Sequence, residues 1–167
     1  MIRLNTFPKN KEHFSKLLEL CEEIINVCEQ LGVEPVLSAG LAVFAYTKDQ
    51  EMEVNDIDLS CSESDFPKIR EALEARGIKC KVTGWHVLQV RRNNLKVEFD
   101  SREYWMKDLS ENYEVLKVGN LQLKVVSLDN LKELYRKGLE NTRGKDDVTN
   151  KAKHRNINDK YRTLSSL

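Results

Sequence analysis

Asp56-Ile57-Asp58-Leu59 places two carboxylates two residues apart in a run that otherwise reads as a buried strand, where aspartate is normally depleted. Side chains at i and i+2 of a strand share a face, with alpha carbons about 6 to 7 Å apart, so both can reach one ion. Two unit charges about 4 Å apart repel by roughly 4 kcal/mol at an effective dielectric near 20, a cost that a bound cation removes. Magnesium or manganese suits the pair, because hard divalent ions take carboxylate oxygen and keep positions for water and substrate phosphates. The same dipeptide, preceded by Asn55, also fits a turn. Context favours the strand. Upstream, Glu34 to Phe44 reads as a short apolar strand, a tight turn of small residues at Ser38 and Ala39, and a helix opening at Gly40. Helix amino ends attract phosphate through free amides and the helix dipole. Downstream, Leu95, Val97 and Phe99 alternate with Lys96, Glu98 and Asp100, so a third carboxylate, Glu98 or Asp100, shares one strand face.

These motifs resemble those of the minimal nucleotidyltransferases of the DNA polymerase beta superfamily, especially the branch of lincosamide nucleotidyltransferases and abortive-infection toxins. That family has a small-residue pair opening a helix, an Asp-hydrophobic-Asp strand and a third acidic residue on a neighbouring strand. Here they look like Ala39-Gly40-Leu41-Ala42, Asn55-Asp56-Ile57-Asp58-Leu59 and Val97-Glu98-Phe99. A further similarity is Val125 to Leu131 followed by basic helices, and the resemblance runs over roughly residues 33 to 164. The chain departs at Ala39, where the family usually has glycine.

The resemblance implies transfer of a nucleoside monophosphate from a nucleoside triphosphate such as ATP to a hydroxyl of an acceptor, a small molecule, a protein or an RNA, releasing pyrophosphate. Asp56, Asp58 and Glu98 would be catalytic, and magnesium or manganese would be held by Asp56, Asp58, Glu98 and Asp100. Ser38, Ala39, Gly40 and Lys137 would hold the triphosphate. An inactive member of the fold, acting as an antitoxin-like or regulatory partner, and a metal-dependent nuclease are the competing readings.

Lysine plus arginine equals aspartate plus glutamate at 27 each in 167 residues, so no overall field draws the chain to nucleic acid or an anionic membrane. No membrane span or signal peptide is evident, and a cytoplasmic protein is expected. Cys21, Cys28, Cys61 and Cys80 lack metal-type spacing and read as reduced core residues, and His13, His86 and His154 as incidental. The elements predict an α+β fold of one domain over 1–167, with an amino-terminal helix over 9–31, a core over 33–126 and carboxyl-terminal helices over 127–164. A mixed sheet has helices mainly on one face. The last helix should span Asp146 to Leu164. Arg143, Lys145, Lys151, Lys153, Arg155, Lys160 and Arg162 form a local basic excess that reads either as a solvated face or as phosphate contacts, and Arg91 and Arg92 are open to the same choice. Trp85 and Trp105 could stack a base, although packing is expected for at least one.

Overall fold

The computed structural model describes residues 1–142 and 148–167. Its strands are β1 (Ile2–Leu4), β2 (Val36–Ser38), β3 (Ile57–Cys61), β4 (Lys79–Thr83), β5 (Val87–Arg92), β6 (Leu95–Ser101), β7 (Tyr113–Val118) and β8 (Leu121–Val126). Its helices are α1 (Lys11–Gln30), α2 (Ala39–Thr47), α3 (Phe66–Glu74), α4 (Arg102–Trp105), α5 (Leu128–Thr142) and α6 (Val148–Ser165). The strands make one mixed sheet in the order β1-β7-β8-β2-β3-β6-β5-β4.

Register decides which residues meet. β3 and β6 are parallel, with Asp58 opposite Glu98, and β2 is antiparallel to β3, with Ser38 opposite Asp58. Alternation then sends Ile57, Leu59, Leu88, Val90, Val97 and Phe99, all fully buried, to one face and leaves Asp58, Gln89, Glu98 and Asp100 on the other. A slip of one residue would exchange the two sets, so apolar burial fixes the site as well as the core.

α1 covers the apolar face with Phe14, Leu17, Leu20, Cys21, Ile24 and Cys28, each fully buried, and stops at Gly32, whose φ of 71° suits glycine. α2 is apolar on all sides because it lies between layers: Leu41 to Ala45 are buried, Phe44 meets Phe14 edge-on at 6.4 Å, and α5 and α6 pack against it. Each of these phenylalanines contributes about 1.5–3 kcal/mol by burial. Cys21, Cys28 and Cys61 are buried free thiols, as expected, and desolvation pushes each up to about 12, whereas Cys80 on β4 is only partly buried.

Three features have no signature in any local pattern. β1 adds an edge strand parallel to β7, and the aperiodic stretch after β6 begins with the one-turn α4, whose Tyr104 amide is capped by Ser101 Oγ. Neither tryptophan is core: Trp85 is 71% and Trp105 40% exposed, which corrects the expectation that at least one packs. They sit beyond the covering helices, at the β4–β5 turn and on α4, where Trp105 Nε1 donates to the Trp85 carbonyl at 2.9 Å and Tyr104 lies edge-on to Trp105. Arg143, Lys145, Asp146 and Asp147, including the expected start of the last helix, lie outside the described residues. Among the described residues no helix is long and apolar enough to cross a membrane.

Candidate active site

Strand pairing begins at Ile57, so Asp56 is the residue just before β3 rather than part of it, and its carboxylate is 38% exposed. The Lys96 ammonium lies between Asp56 Oδ2 at 3.3 Å and Glu98 Oε1 at 3.2 Å, and Gln89 Nε2 donates to Glu98 Oε2 at 3.2 Å. Asp58 stands deeper. Burial, then the charges of Asp56, Asp100 and Glu98, hold its carboxyl well above the usual range, with Lys96 opposing. Burial, then Glu98 and Asp56, push Asp100 up to about 7. These four carboxylates therefore occupy one patch with too little positive charge beside them.

The carboxyl-terminal helices bring a second ammonium. Burial pulls Lys160 on α6 below the ordinary lysine range, against the pull of Asp58 and Asp56. Its Nζ lies 6.0 Å from the centre of the Tyr135 ring, and 3.6 Å from where a Cβ on Gly40 would be. Burial, then Asp58 and Asp56, also hold the Tyr135 phenol protonated. Gly40, Val43, Asn55, Asp56, Asp159 and Lys160 line a cleft of about 580 Å³.

The segment leading into Asp56 is fastened to the start of α1. Asn10 Nδ2 donates to the Val54 carbonyl at 2.8 Å while the Val54 amide donates to Asn10 Oδ1 at 3.0 Å, and His13 Nε2 bonds the Asn55 carbonyl at 3.1 Å. On the other side of the site, β2 ends at the buried Ser38 and the chain turns into α2 through Ala39, at φ 55°. An L-residue pays roughly 1–2 kcal/mol for that conformation. We expect Ala39→Gly to raise the unfolding free energy by about 0.5–1 kcal/mol, because the relief exceeds the extra freedom glycine gains in the unfolded chain. Urea denaturation of the two proteins measures it, and an unchanged or lower midpoint would contradict the assigned strain.

The structure thus brings Asp56, Asp58, Glu98 and Asp100 together with Gly40, and places Ser38 directly across from Asp58. Lys137 goes elsewhere. It lies 3.6 Å from Asp108 Oδ2 and does not line the cleft, which Lys160 lines. Lys160 is one of many basic residues in the carboxyl-terminal stretch, and no local pattern singles it out. Lys96 was legible on the face of Glu98 and Asp100, but its bridging of Asp56 depends on the pairing of β3 with β6. Of the two hairpin arginines, Arg92 is tied to Glu23 of α1 at 2.6 Å and is structural. His86 bonds Glu63 at 2.9 Å, stacks on Tyr104 and lies outside the carboxylate patch.

No protein-family model and no curated protein matches the chain. Solved structures do. The antibiotic-resistance factor ANT(2″)-Ia in solution superposes with a TM-score of 0.64 at 13% identity, over 92% of this chain and 84% of that one. The fold is that of the nucleotidyltransferases. An antigenic nucleotidyltransferase-like protein from Paracoccidioides brasiliensis gives a TM-score of 0.62 at 12% identity, covering 94% of this chain and 77% of that one. The lincomycin-bound lincosamide antibiotic adenylyltransferase LnuA gives 0.52 at 16%, covering 86% and 95%. In this nucleotidyltransferase fold, no three His, Cys, Asp or Glu side chains among the described residues converge closely enough to hold a metal ion as they stand, and the Lys96 ammonium lies between two of the acids. The donor chemistry nonetheless fits a hard divalent cation: the groups are carboxylate oxygens, and Asp58 and Asp100 are pushed upward first by burial and then by the neighbouring acids, both of which a bound cation would offset.

Proposed function

We propose that the protein is a metal-dependent nucleotidyltransferase that moves a nucleoside monophosphate from a nucleoside triphosphate to an acceptor hydroxyl. The observation that supports this most is the pairing of Asp58 with Glu98 on adjacent parallel strands, next to a helix start where Gly40 and the Lys160 ammonium face one cleft. The likeness in fold to an antibiotic adenylyltransferase is consistent with it.

The acceptor oxygen attacks the alpha phosphorus, a new P–O bond forms, the bond to the bridging oxygen breaks, and pyrophosphate leaves with that electron pair. The acceptor proton passes to a carboxylate of the patch. Asp56, Asp58 and Glu98, with Asp100 behind them, would hold magnesium or manganese, which when bound neutralises the triphosphate and acidifies the acceptor hydroxyl. The protein's own part is positioning and charge compensation. Asn10 and His13 fix the approach to Asp56, the Gly40 amide and Lys160 receive the terminal phosphates, and Ser38 borders that cradle. Triphosphate supply and reduced buried thiols both suit a cytoplasmic setting.

Incubation with magnesium, each labelled triphosphate and cell extract, with Asp58→Asn as control, tests this reading: label should pass to one acceptor in the wild type only. Lys160→Met should raise KM for the triphosphate about tenfold with a smaller effect on kcat, the behaviour of a group that binds substrate and transition state alike. Lys137→Met should stay within about twofold of wild type on both constants. Equal KM values for the two variants would remove Lys160 from the cradle. A folded wild type that labels nothing would instead favour the inactive, regulatory reading, which the Lys96 ammonium between Asp56 and Glu98 recommends.

A further inference from the structure

We infer that the acceptor is the end of a single-stranded nucleic acid, held by a row of cations that crosses the open face of the sheet beside the carboxylates. This rests on the nucleotidyl-transfer reading and names its acceptor class.

The row follows from register. Lys79 on β4 lies opposite Arg91 on β5, and Arg91 lies opposite Lys96 on β6. Lys96 in turn reaches Asp56. One place along, Lys81 lies opposite Gln89, and Gln89 opposite Glu98. All these residues share the carboxylate face, because their neighbours Leu88, Val90 and Val97 point into the core. Lys79, Lys81 and Arg91 are exposed, and none has a charge partner among the described residues.

Like charges directly opposite one another in a sheet are destabilising. Lysines on an edge strand also guard against edge-to-edge pairing, and β4 is an edge, so Lys79 and Lys81 have that use. Arg91 does not: it lies one strand in, with a lysine opposite it on each side. A sequence that breaks a local rule at such a place does so most readily for a ligand that supplies the missing charge, here a run of phosphates.

The side of the site on which the row lies identifies the ligand. In the order β2-β3-β6-β5-β4, the Gly40 and Lys160 cradle is on the β2 side of the carboxylates and the cation row on the β5 and β4 side. The triphosphate and the acceptor must approach the carboxylates from different directions for an in-line displacement, so the row falls to the acceptor. A cationic acceptor would be repelled there. With no net charge on the chain, any attraction for nucleic acid must be local, and the row supplies one beside the carboxylates.

The test uses the full chain and a fluorescent single-stranded RNA with a free 3′-hydroxyl, with the same sequence as DNA and as duplex in separate arms, titrated by anisotropy without triphosphate at several salt concentrations. Wild type should bind the single strand, and more weakly as salt rises. Lys79→Ala/Arg91→Ala should bind at least about tenfold more weakly, with a log–log salt slope shallower by about 0.7 for each phosphate that the variant no longer neutralises. Lys68→Ala, on α3 at the other face, should bind as wild type, and triphosphate binding with magnesium should be unchanged in all three. No binding by wild type at low salt, equal binding by the double variant, preference for duplex, or a parallel loss of triphosphate affinity would each overturn the inference. Because binding is read without chemistry, failure of the transferase reading shows separately, as label transfer by Asp58→Asn equal to that of wild type.

Discussion

Asp58→Asn should reduce kcat/KM for nucleotidyl transfer by at least about a thousandfold, equal to roughly 4 kcal/mol of transition-state stabilisation, and should at the same time leave the fold as stable or more so. The two effects come from one cause. Asp58 is pushed away from its charged form by burial and by Asp56, Asp100 and Glu98, so the folded chain holds a carboxylate that its surroundings disfavour. Asparagine keeps the shape and removes the charge. In the presence of a chelator we expect a gain of about 1 kcal/mol in unfolding free energy, the pattern of a site whose function costs stability. Single-turnover label transfer and urea denaturation of the same preparations measure both. A variant that keeps activity refutes the site, and one that loses activity through lost stability would mean that Asp58 serves the fold.

The second large effect is on stability against pH. Asp100 rises from an ordinary 3.8 to about 7 in the folded chain. Between these values the folded state keeps a proton that the unfolded state releases, so the stabilisation is complete below about pH 4 and is lost as pH climbs through about 7. At roughly 1.4 kcal/mol per unit the full loss approaches about 4 kcal/mol, and Asp58 adds to it in the same direction. Glu103, held at about 2 by Ser62 and the Glu63 amide, works oppositely, its contribution disappearing as pH falls towards that value, but it is exposed and the effect is small. Denaturation in chelator from pH 4 to 8 should therefore show wild-type stability declining with pH and Asp100→Asn declining much less. Magnesium at about a hundred times its dissociation constant should restore about 2.7 kcal/mol at pH 7.5, and less at pH 5, where Asp100 is protonated. Parallel pH curves for wild type and variant would show that the patch is not what destabilises the fold.

The parts of this protein that could be read from its residues are those in which a local pattern has one structural solution. The alternation in Leu95 to Asp100 specifies a strand with acids on one side, and a strand is what forms, one residue longer. The three- and four-residue spacing from Phe14 to Leu31 specifies an amphipathic helix, and Gly32 ends it. Ser127, a residue type favoured at helix starts, accepts from the Asn130 amide at 3.2 Å. The departure at Ala39 could also be read, and the positive φ found there gives its physical content.

Other features depend on which strands become neighbours, and no local pattern states that. Sequence by itself determined the acidic residues, the small-residue helix start and the alternation that puts each on a definite face, because side-chain direction follows directly from backbone period. Only the tertiary structure decided that Lys96 bridges Asp56 and Glu98, that Lys160 rather than Lys137 stands over Gly40, that both tryptophans stay exposed, and that Lys79, Arg91 and Lys96 form a line. Each of those depends on register between strands distant in sequence, or on how the last helices fold back over α2. Burial of the whole apolar face fixes that register, and no single segment encodes it.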